Sequence, residues 1–265
     1  MSTNEFHWGC SHKIGGRPYQ EDTYITNITI GDMYLFGVFD GHGGNDVSSF
    51  LADNFSDFIS NSIDKHSNLE SALKAAFIDI NKNLPNQDNE SNSVGSTSNI
   101  VLLNKEKIIC ANCGDSRAVL FKNNEIISLS EDHKPERVDE KERIEKAGGF
   151  VFHNTGIPRV MGILNMSRAI GDLWLNKFGV IPDPDIITLD RTPLDEFIII
   201  ASDGLWDSLS SEKAVQLTKR CIDRALIKGA SRNAATRIAA NVLAKTASTY
   251  GSTDNITVII ILLNN

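Results

Sequence analysis

Apolar and polar positions along the chain spell out one plan twice. "MYLFGVFDG" is an apolar run that breaks at Asp40 and Gly41, and helical periodicity follows over 45–62 and 69–84. "EFIIIASDG" breaks in the same way at Asp203 and Gly204, before helical patterns over 211–226 and 233–248. Each unit reads as a strand, an Asp-Gly turn and a helix pair. Between the units lie short β-rich runs at 98–104, 108–113, 117–122 and 125–129, separated by "NKEK", "GDS" and "NN". Such short links suit antiparallel hairpins and suggest a meander, because parallel strands need long crossovers. One helix follows in "ERVDEKERIEKAGG", stopped by Gly148 and Gly149, and "NITVIIILL" reads as a buried closing strand.

Adjacent antiparallel strands with helices arriving in pairs predict an α+β fold: a four-layer α-β-β-α sandwich of two packed, mainly antiparallel sheets. A doubly wound sheet would need single helices alternating with single strands and a glycine-rich first turn, and neither occurs. No linker-like segment divides the 265 residues, so residues 1–265 are expected to form one domain, and the polar stretch 86–98 reads as a surface loop.

A formal charge of -8 argues against a sequence-independent grip on nucleic acid and favours binding of cations. The N-terminal "MSTNEFHWGC" lacks the basic and apolar regions of a leader, and no apolar run reaches the roughly 18 residues of a membrane span. A cytoplasmic location, with the nucleus as a second compartment, is the expectation, without membrane attachment and as a monomer. Four cysteines are too few for a disulfide scaffold. The Cys-x-x-Cys of "CANC" lies in a strand-like run, where residues three apart face opposite sides, so packing explains Cys110 and Cys113 better than a metal does.

The acids carry the chemistry. Glu21 and Asp22 in "RPYQED", Asp40 in "FDGHGG", Asp115 in "CGDSRA", Asp203 and Asp207 in "SDGLWD", and Asp254 in "STDNITV" all sit at turns or strand ends. Any single Asp-Gly turn is explained by the side chain bonding its own backbone while glycine tolerates positive φ. Several such turns abutting apolar strands would crowd carboxylates into one partly desolvated region, and that needs a counter-charge. Hard divalent cations with oxygen ligands supply one, and a pair of them would lower the pKa of a water to make a nucleophile. Arg17, just before the acids, can hold two oxygens of a phosphate. His42, which alone would be an ordinary turn residue, can then protonate a departing alkoxide. The twelve residues from Asp40 to Leu51 do not form a calcium loop, since Asn45 stands where that loop needs glycine and Leu51 where it needs glutamate.

The motifs "RPYQED", "FDGHGG", "GST", "CGDSRAVL", "DHKP", "RIEKAGG", "RVMGILNMSRAIGD", "PDPDI", "ASDGLWD" and "STDNITV" occur in one order over residues 15–262. In these the chain resembles the metal-dependent serine/threonine protein phosphatases of the type 2C class. The resemblance implies hydrolysis of phosphoserine and phosphothreonine in proteins, by hydroxide activated at a centre of two Mg²⁺ or Mn²⁺ ions. It implies that Asp40 bridges both metals, that Glu21 and the Gly41 carbonyl serve one, and that Asp203 and Asp254 serve the other. Asp22 would order the metal waters, Arg17 grip the phosphate and His42 act as general acid. Asp115 and Asp207, with Asp203, match a weaker third metal position, and Asp172 of "SRAIGD" receives no direct role. Asn165 and Met166 depart from the small apolar residues usual in the family, and Ser98 from its alanine, without removing a proposed ligand. The stretch 149–171 should hold a compact substrate-facing flap. The alternative is a catalytically weak pseudophosphatase that serves as a binding module.

Overall fold

The computed structural model describes residues 6–85, 93–153 and 156–263. Two five-stranded antiparallel sheets form its centre. The first runs His7–Lys13, Ile256–Leu262, Asp195–Ala201, Arg117–Lys122, Glu125–Ser128. The second runs Asp185–Asp190, Lys107–Cys113, Ser98–Leu103, Met33–Phe39, Thr23–Ile30. Phe36, Val38, Val101, Leu120, Ile198, Ile200, Ile259 and Ile261 pack between the sheets, so the strands alternate faces and bury both.

Helix pairs cover the outer faces and complete the four layers. Asp46–Ile63 and Leu69–Lys82 lay Leu51, Phe55, Ile59, Leu73 and Phe77 on the second sheet. Ser211–Ile227 and Arg232–Thr249 lay Val215, Ile222, Ala239 and Leu243 on the first. Three of these helices begin where a side chain accepts from an otherwise orphaned backbone amide: Asn68 from Ser71 N, Ser210 from Lys213 N and Ser231 from Ala234 N, at 2.8, 3.2 and 3.3 Å. All four lie within two residues of the bounds read from periodicity. The fifth expected helix is shorter, Val138–Lys146.

The expected meander is corrected at "GDS". Ser98–Leu103 and Lys107–Cys113 form one hairpin, and Arg117–Lys122 and Glu125–Ser128 form another, but in opposite sheets. The Gly114–Ser116 link therefore crosses the sandwich rather than closing a hairpin. Lys107–Cys113 already has a partner on each edge, Ser98–Leu103 and Asp185–Asp190, so no ladder remains for Arg117–Lys122. Cys110 faces the inter-sheet core and Cys113 the outer helix layer, and burial pushes both thiols far up.

Of the polar loop expected at 86–98, residues 86–92 lie outside the described residues. Gly95–Ser96 forms a short strand between Gly41–His42 and Ile170–Gly171. The flap contains the small hairpin Val151–Phe152 with Arg159–Val160, and residues 154–155 of it are outside the described set. Among the described residues, no helix is long and apolar enough to cross a membrane.

Candidate active site

Five segments deliver acids to one end of the sandwich. Met33–Phe39 ends at Asp40, Asp195–Ala201 ends just before Asp203, and the 113–117 link carries Asp115. Glu21 and Asp22 precede Thr23–Ile30, and Asp254 precedes Ile256–Leu262. A strand ending in a polar turn is what places each side chain, since the apolar run behind it is anchored in the core and cannot slide.

Polar buttresses hold these ends together. Asn255 donates to the carbonyls of Ile14 and Tyr19 at 2.8 and 3.0 Å and accepts from Glu21 N at 2.7 Å, which ties the Arg17 loop to the acids. Asp40 N donates to Thr97 Oγ1 and Thr97 N to Asp40 O, at 3.0 and 2.9 Å. Gly41 is packed so closely that a Cβ there would stand 2.4 Å from the Glu21 carbonyl oxygen, so only glycine lets these two turns meet.

Electrostatics show that the acids share one region. Burial, and then the charges of Asp22, Asp203, Asp115 and Asp254, push Asp40 well above the usual carboxylate range. Burial followed by Asp115 and Asp207 does the same to Asp203. Asp22 is pushed up to about 6, mainly by burial, although Ser202 and Thr257 hydroxyls donate to its Oδ2 at 2.8 and 2.7 Å. Burial also raises Asp207, which Lys134 partly offsets.

Several acids are turned to partners of their own. Asp254 Oδ2 pairs with Arg17 Nη2 at 2.7 Å, and Asp115 Oδ2 with Lys134 Nζ at 2.5 Å. Among the described residues, no three His, Cys, Asp or Glu side chains are drawn into a ready-made metal cage. The donor set nonetheless suits a hard cation. Asp22 Oδ1 and Asp115 Oδ1 are buried with no hydrogen-bond partner, beside carboxylates that burial and mutual repulsion disfavour as anions.

His42, in the short strand Gly41–His42 just after Asp40, donates Nε2–H to Asp172 Oδ2 at 2.6 Å, because a carboxylate can only accept. Burial pulls the imidazole's pKa down, but the charge and hydrogen bond of Asp172 outweigh it and the net shift is upward. Its Nδ1 has no partner. A Cβ on Gly95 would stand 2.3 Å from Asp172 Oδ2 and 2.6 Å from His42 Nε2, so the glycine of "GST" makes room for this pair.

All ten residues singled out in the sequence are thus brought to one region at the end of the sandwich: Arg17, Glu21, Asp22, Asp40, Gly41, His42, Asp115, Asp203, Asp207 and Asp254. Two functional partners were missed. Asp172 was seen only as part of a motif, and it is 130 positions from His42; Lys134 was one letter of "DHKP". Neither has a local pattern that would reveal its partner.

Comparison with known proteins identifies the family and the fold. Residues 26–256 match the family model Protein phosphatase 2C. The chain is 37% identical over 272 residues to "Probable protein phosphatase 2C 59" of Oryza sativa subsp. japonica, covering 98% of itself and 76% of that protein. It is 38% identical over 215 residues to "Protein phosphatase 2C 3" of Arabidopsis thaliana, covering 75% of itself and only 48% of that relative. The solved serine-threonine phosphatase 2C from Toxoplasma gondii superposes with a TM-score of 0.82 at 26% identity, over 99% of this chain and 96% of that one. A family match spanning most of the chain, on a sandwich whose acids converge at one end, places this protein in the protein phosphatase 2C family of phosphoprotein phosphatases.

Proposed function

We propose that this site hydrolyses phosphoserine and phosphothreonine in proteins at a centre of two divalent cations. The observation that supports it is the convergence of Asp22, Asp40 and Asp203, each raised by burial and by its acidic neighbours, next to unpartnered carboxylate oxygens. Asp40, Glu21, the Gly41 carbonyl, Asp203 and Asp254 would hold Mg²⁺ or Mn²⁺. Bound there, the cations would neutralise the crowded acids and supply Lewis acidity toward phosphate and water.

The chain's own groups account for the rest. Arg17 is exposed, and its ion pair with Asp254 is of the solvent-accessible kind worth about 0–1 kcal/mol, so the guanidinium can turn to a phosphate at small cost. Asp22, held by Ser202 and Thr257 through Oδ2, keeps Oδ1 free to order a water. His42, fixed through Nε2 by Asp172, keeps Nδ1 free to protonate the departing serine or threonine oxygen.

The test is phosphate release from a phosphothreonine peptide, with Mn²⁺ or Mg²⁺ and with chelator, for wild type, Asp40→Ala and Asp203→Ala. Metal-dependent release lost in both variants is expected. Activity that survives chelation, or survives in both variants, overturns the two-metal reading; folded wild type that stays inactive with metal points to a binding module.

A further inference from the structure

Lys134 is the cation nearest the Asp115 carboxylate. Its Nζ lies 2.5 Å from Asp115 Oδ2; the lysine side chain is 29% exposed and the aspartate 1%. Asp115 Oδ1 is buried and accepts from nothing. Asp203 and Asp207 stand four residues apart, on the short helix Asp203–Trp206 and at its C-cap, and both act on the Lys134 charge. One ammonium is therefore paired with one carboxylate, lies in the field of two more, and leaves one of the buried oxygens unmatched.

The backbone that carries the lysine is also fixed. His133 N donates to the Gly114 carbonyl at 3.0 Å, and Gly114 N donates back to His133 Nδ1 at 3.0 Å, which bolts the residue before Lys134 to the turn that carries Asp115. Two residues before Lys134, Asp132 is clamped by Arg117 through bonds of 2.9 and 2.7 Å, and that guanidinium lies over the Trp206 ring at 5.3 Å. Asp115, Lys134 and the Asp203 helix are thus parts of one frame, whose backbone need not move for the side chain to swing out.

We infer that Lys134 is a tethered counter-ion for the Asp115, Asp203 and Asp207 pocket, which a divalent cation can enter only by displacing the ammonium. Lys134 thereby sets how weakly this third position binds metal. The inference rests on the metal-dependent reading above for the pocket's neighbours, but it concerns only the third position. An ammonium is a compact charge on a flexible stem, so it can neutralise Asp115 and still leave; a cation that enters must give up hydration and expel a like charge.

Free Mn²⁺ measured by its EPR signal during titration of wild type, K134M and K134M/D115N tests this. The number of tightly held ions should be the same in all three. K134M should take up one further ion at about tenfold or more lower free Mn²⁺ than wild type, as expected from removing an adjacent like charge, and the double variant should lose it. Coincident wild-type and K134M curves, or an added ion that survives D115N, overturn the inference. No tight ions in any protein, with the K134M gain intact, would instead refute the two-metal reading alone. A second readout needs no variant: acylation of Lys134 by limiting acetic anhydride, mapped by mass spectrometry, should rise over the Mn²⁺ range that fills the third position. Reactivity that stays flat through that range also overturns the inference.

Discussion

Asp172→Asn removes one charge from the His42 pair and almost no volume. The carboxylate is 2% exposed and accepts Nε2–H at 2.6 Å, so the bond belongs to the charge-assisted class worth about 1.5–3 kcal/mol, against about 1 kcal/mol for its neutral amide counterpart. The difference, roughly 0.5–2 kcal/mol, favours the protonated imidazole, and Asp172 is the partner that outweighs burial at His42. Losing it lowers the proton-donating fraction of His42 at neutral pH and loosens the ring's orientation. The expected result is a kcat some 10- to 100-fold lower on a phosphothreonine peptide, whose alkoxide must be protonated, with KM nearly unchanged. An activated aryl phosphate, whose phenolate departs unaided, should lose no more than a few-fold. The assay compares both substrates at saturating Mn²⁺, with circular dichroism to confirm that the variant is folded. Equal losses on the two substrates, or an undiminished rate on the peptide, would refute the assignment of Asp172 as the residue that positions His42.

Gly95→Ala should give the same split between substrates, because the new methyl would occupy the space between Asp172 and His42; a rate on peptide equal to wild type would contradict the contact distances. Arg17→Ala should leave the melting temperature in place, since the group is exposed, while kcat/KM on the phosphopeptide falls by roughly 30- to 100-fold and Arg17→Lys recovers only part of it. Glu140 is fully buried among Arg143, Arg168 and Ser167; burial pushes its pKa up, but those hydrogen bonds lower it overall from 4.5 to about 2. A depressed carboxylate contributes stability that is complete above about pH 4.5 and fades as the pH falls toward 2, here about 3 kcal/mol. Glu140→Gln should therefore lose about 3 kcal/mol in urea unfolding at neutral pH, with the gap to wild type closing between about pH 5 and 2; a constant gap would discount the ionised network.

Helices and strands were legible because their periodicity is a local property. Leu51, Phe55 and Ile59 fall on one face of a 3.6-residue repeat, and Ile198 and Ile200 on one face of a two-residue repeat, whatever lies opposite. The partition of strands between sheets was not legible. "GDS" has the composition of a hairpin turn, and only the prior claims of Ser98–Leu103 and Asp185–Asp190 on the edges of Lys107–Cys113 turn it into a crossing. The acids were legible as a set, since each ends an apolar run, whereas the partners that tune them were not. Glu140 reads as one more charge on a polar helix, yet three distant or neighbouring side chains enclose it in the core.

By itself the sequence determined the repeated strand, Asp-Gly and helix-pair plan, the burial of the strands, and the supply of carboxylates, arginine and histidine at their ends. These follow from side-chain periodicity and from chain breaks that act over a few residues. Tertiary structure decided which charge each acid meets: Asp172 on His42, Lys134 on Asp115, Arg17 on Asp254. Those pairings join positions 130, 19 and 237 residues apart. Electrostatic interaction depends on distance and desolvation in space, so the protonation state of these acids is set only once the two sheets have packed.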